Sequence, residues 1–118
     1  MELKILYTKS ELGSWLNEQN SEIILIPTMG GLHAGHQFLI RKAKENSSVK
    51  DPIVLVSIFV NPLQFSDNED FDKYPRNLKR DSELADTSGA DAIWAPNVSE
   101  VFPGGEDYHF KIQVPLTL

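Results

Sequence analysis

Apolar positions along this chain switch between helical spacing and continuous runs. Between Thr8 and Asn20, Leu12, Trp15 and Leu16 fall on one helical face. Thr8 and Glu11 frame the start of that helix as a capping box, the hydroxyl taking a first-turn amide and the glutamate reaching back, and Asn20 closes it. Ile23 to Ile26 is an unbroken apolar run that stops at Pro27, as expected of a strand covered on both faces. Gln37 to Asn46 reads as a helix with Phe38, Leu39 and Ala43 inward and Arg41, Lys42 and Lys44 outward. Lys42 and Lys44 also suit its negative carboxyl end. A polar loop over 46–52 leads into Ile53 to Val60, rich in β-branched residues and the strongest strand signal in the chain. Asn61 to Tyr74 has no periodicity and reads as a long ordered loop. Asn77 to Ser88 predicts a third helix, with Pro75 ahead of it and Gly89 at its end. Ala92 to Ala95 is a short strand stopped by Pro96, 101–105 is a turn-rich exit, and Tyr108 to Val114 alternates as one more strand.

Helix and strand thus alternate, which predicts an α/β fold with a parallel sheet, right-handed crossovers and helices on both faces. The 118 residues suffice for one domain with one core. In open sheets of this kind ligands bind beyond the carboxyl ends of the strands. The turn after Ile26 and the loop after Val60 both leave from such ends, so Met29 to His36 and Asn61 to Gln64 should meet at one rim.

The formal net charge of −6 argues against nonspecific binding to nucleic acid or to an anionic membrane, both of which need basic surface. A local pocket can still hold a small anion. With no cysteine, disulfides, thiolate metal sites and cysteine nucleophiles are excluded. The apolar runs are too short to span a bilayer and no secretory pattern opens the chain, so a cytoplasmic location is expected.

The segment richest in chemistry is Pro27-Thr28-Met29-Gly30-Gly31-Leu32-His33-Ala34-Gly35-His36. A strand feeding a small-residue turn that opens a helix offers backbone N–H groups to a phosphate. His33 and His36 add two imidazoles three residues apart, and Gly35 between them clears space for a ligand. If the turn is open, the amides of Met29 to Leu32 are free. Donors aimed at a phosphoryl group are what nucleotidyl transfer requires. The competing readings are two surface histidines on a turn, or half of a zinc site that no cysteine completes. Asn61-Pro62-Leu63-Gln64 follows the central strand, where a carboxamide can hold a hydroxyl or carboxylate of a small substrate; an Asn-Pro turn with a solvent-facing glutamine is the competing account. Asp67, Glu69, Asp70 and Asp72 lack calcium-loop spacing, and Arg76, Lys79 and Arg80 pair most simply with them.

These residues resemble the pantothenate synthetase (pantoate–β-alanine ligase) family. Residues 27–36 resemble its nucleotide-binding signature, and Val56-Ser57-Ile58-Phe59-Val60-Asn61-Pro62-Leu63-Gln64-Phe65 its second one. Asn68-Glu69-Asp70-Phe71, Tyr74-Pro75-Arg76 and Asp91-Ala92-Ile93-Trp94-Ala95-Pro96 continue the pattern. The resemblance implies a Rossmann-like fold of the nucleotidylyltransferase superfamily with the His-x-Gly-His motif. It implies an AMP-forming ligase that joins pantoate to β-alanine through a pantoyl adenylate, with ATP as co-substrate and Mg²⁺ held by the phosphates. Residues 27–36 would bind ATP, and His33 and His36 would stabilise the α-phosphoryl transition state, His36 being the family's proton donor. Gln64 would bind pantoate beside the β-alanine site, with Asn61 and Tyr74 shaping the pocket. A homodimer is implied too. The family's enzymes are more than twice this long, so residues 1–118 are expected to be an N-terminal nucleotide-binding domain, inactive alone. Alternatives are an autonomous nucleotide-binding or dimerisation module, and another nucleotidylyltransferase with the same histidine turn.

Overall fold

The structure is a computed structural model, and it describes residues 3–45, 51–61 and 77–102. Its centre is β3 (Ile53–Ile58), whose branched side chains alternate between two covered faces. It pairs in parallel with β2 (Ile23–Thr28), Ile26 opposite Val56, and on its other side with β4 (Ala92–Trp94), Val56 opposite Ile93. Strand β1 (Lys4–Leu6) joins beyond β4, also parallel, giving the order β1-β4-β3-β2.

The two-residue period of β3 sorts the core. Val54 and Val56 face Ile93, Ile26 and Leu32, together with Ile40 of α2 (Ala34–Glu45) and Ala85 of α3 (Leu78–Ser88). Leu55 points the opposite way, to Leu6, Ala92 and Trp15 of α1 (Lys9–Asn17). Helices therefore cover both faces of a parallel sheet, as the alternation predicted. A short α4 (Val98–Val101) ends the described chain.

Local signals explain the helix ends. The Glu11 amide donates to Thr8 Oγ1 at 3.0 Å and the Thr8 amide to Glu11 Oε1 at 3.0 Å, completing the box. Asn77 Oδ1 accepts from the Arg80 amide at 3.0 Å, and Gly89 stops α3 at φ +108°.

Several expectations need correction. Strand β1 and helix α4 were not anticipated, α1 stops at Asn17 rather than near Asn20, and β3 and β4 end at Ile58 and Trp94. β2 runs through Pro27 to Thr28 and is not covered on both faces: Leu25 is 54% exposed. It lies at the edge of the described sheet, where a proline's missing N–H is tolerated. α2 begins at Ala34, and its buried stripe is set by Ile40 with half-buried His36 and Ala43. Phe38 and Leu39 are exposed instead, with Lys42 Nζ 5.4 Å from the Phe38 ring centroid. The expected strand at Tyr108 to Val114 and the expected loop from Asn61 to Tyr74, apart from Asn61 itself, lie outside the described residues.

Lys44 does not face outward. Its Nζ donates to Asp91 Oδ2 at 2.6 Å and to the Pro52 carbonyl at 2.7 Å, and Asp91 Oδ2 also accepts from the Val54 amide at 2.8 Å. This staple fixes the amino end of β3, opposite the rim where ligands are expected. Asp91→Ala should destabilise the fold by about 2–4 kcal/mol, because a part-buried ammonium and a strand amide both lose their acceptor. Urea unfolding measures it, and a loss under about 1 kcal/mol would show that the staple is no stronger than a surface ion pair.

Candidate active site

At the carboxyl end of β2 the chain leaves the sheet through Thr28, which is buried. Its hydroxyl donates to the Ser57 carbonyl at 3.0 Å and accepts from the Gly30 amide at 3.1 Å. Gly30 and Gly31 then adopt φ of +87° and +65°, where L side chains are strained. A Cβ on Gly30 would stand 3.2 Å from Asp81 Oδ2 and 3.3 Å from Ile58 Cγ2, so this turn is pressed against its neighbours. Leu32, with no exposed surface, plugs it into the core.

The turn is not open. The Gly31 amide donates to Asp81 Oδ2 at 3.1 Å and the Leu32 amide to Asp81 Oδ1 at 2.9 Å. The expectation of free amides from Met29 to Leu32 is thus wrong for Gly30, Gly31 and Leu32. Arg80 Nη1 donates to the Leu32 carbonyl at 3.0 Å, so Arg80 serves this turn.

His33 and His36 build the mouth of α2 themselves. The Gly35 amide donates to His33 Nδ1 at 3.0 Å, and the His33 amide donates to His36 Nδ1 at 3.2 Å. This is capping-box logic carried out by two imidazoles. The ring centroids are 4.2 Å apart and the planes 47° from each other. With both Nδ1 atoms accepting, the hydrogen-bond network assigns the proton of each neutral ring to Nε2. Two Nε2–H donors are therefore left for a ligand at a helix amino terminus. Gly35 serves the rings first: a Cβ there would lie 2.8 Å from His33 Cε1.

Partial burial, and secondarily the neighbouring His33, lower the pKa of His36 below its usual 6.5, with Asp81 opposing weakly. A depressed histidine is charged more readily in the unfolded chain. Its contribution to stability is therefore complete above about 6.5 and is lost as pH falls from there through the folded-state value. The His36 ring should titrate by NMR with a midpoint below 6.5, and the stability lost between pH 7 and 5.5 should shrink in His36→Gln. A midpoint at or above 6.5 would contradict this account.

Beside the turn, Met29, Gly30, Ile58, Val60, Asn77 and Asp81 line a cavity of about 150 Å³, together with Ala95 and Pro96. It lies beyond the carboxyl ends of β2, β3 and β4, where the fold class places ligands. Asn61 stands half-buried at the same rim, just past Val60, whereas Gln64 and Tyr74 lie outside the described residues. Pro27, Gly31, His33, Ala34 and Gly35 are exposed, and His36 is half-buried. Leu32 is fully buried, with its N–H on Asp81 and its C=O on Arg80. Among the described residues, no three His, Cys, Asp or Glu side chains are grouped to hold a metal ion.

Sequence reasoning missed Asp81. The signal was present: Asp81, Ala85 and Ser88 follow helical spacing and are the buried residues of α3. An acid on a buried stripe calls for a partner, and the glycine turn supplies it.

Comparison with known proteins identifies relatives of this chain. The family model described as pantoate-beta-alanine ligase matches residues 4–117. A bifunctional pantoate ligase/cytidylate kinase from Prochlorococcus marinus (strain NATL1A) is 69% identical over 115 residues, covering 98% of this chain and 22% of that protein. The pantothenate synthetase structure from Thermus thermophilus superposes with a TM-score of 0.79 at 38% identity, over 95% of this chain and 38% of that one. The pantoate-beta-alanine ligase structure from Francisella tularensis, complexed with beta-gamma ATP and beta-alanine, gives 0.80 at 31% identity, over 96% of this chain and 42% of that one. The chain thus spans about a fifth of the Prochlorococcus protein and about two fifths of the two solved chains. A match of this extent, on a parallel sheet that carries the paired histidines at its rim, establishes that the chain belongs to the pantoate–β-alanine ligase family.

Proposed function

We propose that these 118 residues form one nucleotide-binding domain that supplies part of the active site of an ATP-dependent ligase joining pantoate to β-alanine. In the first step a pantoate carboxylate oxygen bonds to the α-phosphorus of ATP. The bond from that phosphorus to the bridging oxygen breaks, and its electron pair leaves with pyrophosphate. In the second step the β-alanine amine bonds to the acyl carbon, the bond to AMP breaks and the nitrogen loses a proton.

The observation that carries this reading is the pair of imidazoles at the mouth of α2 whose Nδ1 atoms both accept backbone amides, which assigns the donor of each neutral ring to Nε2. Two fixed donors can follow charge as it builds on the α-phosphoryl oxygens, which is where electrostatic stabilisation acts. A bound anion also offsets the desolvation that keeps His36 neutral, drawing that ring toward the imidazolium form. The exposed backbone at Gly31, Ala34 and Gly35 leaves room for the nucleotide. The cavity beyond Met29 and Val60 suits the small branched acid, with Asn61 at its edge and Gln64 and Tyr74 contributing by resemblance.

Magnesium enters with ATP. The rim carboxylate, Asp81, already takes two backbone amides, and among the described residues no three His, Cys, Asp or Glu side chains are grouped to hold a metal ion, so the phosphates are its support. A cytoplasmic setting follows from the use of ATP, and among the described residues no helix is long and apolar enough to cross a membrane. A homodimer belongs to the same reading, supported by the exposed Leu25 on edge strand β2; sedimentation velocity tests it.

The deciding experiment is pyrophosphate exchange into ATP by the protein encoded by the complete reading frame. Exchange should require pantoate, and added β-alanine should release AMP and pantothenate. Exchange that ignores pantoate, or pantoate-free transfer of AMP to another acceptor, would overturn the proposal.

A further inference from the structure

The paired histidines owe their place to residues far away in the chain. Between Thr28 and Ala34 there is no regular structure, and two glycines with positive φ leave that stretch little stiffness of its own. Leu32 anchors it in the core, and its backbone is held by the first turn of α3. Asp81 is 2% exposed, and each of its carboxylate oxygens takes one of two consecutive amides, Gly31 and Leu32, 50 and 49 residues distant. Arg80, next to it, donates to the carbonyl of the same Leu32. The following residue is His33, whose own amide donates to His36 Nδ1.

A buried carboxylate is a poor choice if packing is the only demand. Its desolvation is costly, and an apolar residue would seal α3 against the core at less expense. Arg80 gives limited relief, since its Nη1 is 3.6 Å from Asp81 Oδ1 and its side chain is half in solvent. What the carboxylate does, and no apolar residue can, is hold two neighbouring amides in one fixed orientation. Hydrogen bonds to an ionised acceptor are roughly twice as strong as neutral ones. Catalysis of phosphoryl transfer rests on such placement, because small misplacements of donors cost large factors in rate.

We infer that Asp81 is a positioning residue for the adenylate-forming step: it clamps the Gly31–Leu32 backbone so that His33 and His36 meet the α-phosphoryl group in register. Asp81 does not act on the substrate itself. Arg80 is the second, weaker strap on the same turn. This inference rests on the function proposed above, and its test has one arm that does not depend on that function.

The test uses the protein from its complete reading frame, with Asp81→Asn as the main variant. The amide keeps the size but sets an NH₂ donor against one of the two backbone donors. Pantoate-dependent pyrophosphate exchange should lose about 10- to 100-fold in its maximal rate. Conversion of supplied pantoyl adenylate by β-alanine, which no longer needs the α-phosphoryl donors, should stay within about threefold. Leu84→Ala, on the same helix, serves as the packing control and should lower both reactions alike. The second arm is ¹⁵N correlation spectroscopy of the imidazoles. The wild type should show Nε2–H tautomers for His33 and His36, and Asp81→Asn should show tautomer mixtures. Should Asp81→Asn fail to fold, Arg80→Met removes the second strap from a half-exposed side chain and should show the same partition, smaller in size. Equal losses in both half-reactions, or unchanged tautomers, would overturn the inference. A wild type without exchange would remove the proposed function instead, and the spectroscopic arm would still decide whether Asp81 orders the rings.

Discussion

Replacing His36 by glutamine is expected to lower pantoate-dependent pyrophosphate exchange by about 10²- to 10³-fold, the usual cost of deleting one fixed donor to a charged transition state. The choice of glutamine matters. His36 Nδ1 accepts the His33 amide, so alanine would remove a helix cap along with the donor and blur the result by about 0.5–2 kcal/mol of stability. Glutamine can still accept that amide through its side-chain oxygen, at the same third position of α2, while the ring-fixed, protonatable Nε2–H gives way to a permanently neutral NH₂ on a freely rotating chain. The unfolding midpoint should therefore move little while the rate collapses. Steady-state kinetics beside a urea titration makes the comparison. A loss below about tenfold, roughly 1.4 kcal/mol, would mean that His36 holds the helix mouth and does little to the phosphorus.

Leu32→Ala is the second large effect and has the opposite balance. Leu32 has no exposed surface and packs among Ile26, Ile40, Val56 and Ile93. It is the anchor through which the glycine turn grips the sheet. Truncation should cost about 2–5 kcal/mol from lost burial and the cavity left behind. That is a large part of the roughly 5–15 kcal/mol typical of a whole domain. Denaturant unfolding should show the midpoint shift with an unchanged slope. Activity should fall as well, since the turn would no longer hold His33 in place. A destabilisation below about 1 kcal/mol would mean that neighbouring side chains close over the gap, and that Asp81 alone holds the turn.

Much of this architecture was legible because its signals are local. Thr8 with Glu11, Asn77 with Gly89 and the branched run from Ile53 each act over a few residues, and each appears in the structure where the residues put it. The parallel sheet followed from the order of those elements. What escaped was set by contacts distant in sequence. Lys4-Ile5-Leu6 is too short to show a period and becomes a strand only because β4 is beside it. The phase of α2 turned on where the helix begins: a start at Ala34 sends Ile40 into the core and leaves Phe38 and Leu39 outside. In the site, the histidines and the glycine turn were readable, but not their uses. The proximity of a carboxylate about 50 residues on decided which amides were free. That same distance hid Lys44, whose partner Asp91 lies 47 residues away.

Strand β1 pairs with β4, opposite Ala92 to Trp94, and the Lys9 amide donates to Glu100 Oε1, 91 residues later. During synthesis, β1 therefore has no neighbour until residues far along the polypeptide have left the ribosome. At ordinary translation speeds that interval is on the order of 10 s, very long beside the microseconds in which a nearby hairpin closes. Throughout it Lys4 to Leu6 have no strand to pair with, and the Leu6 side chain, buried in the finished fold, stays in water.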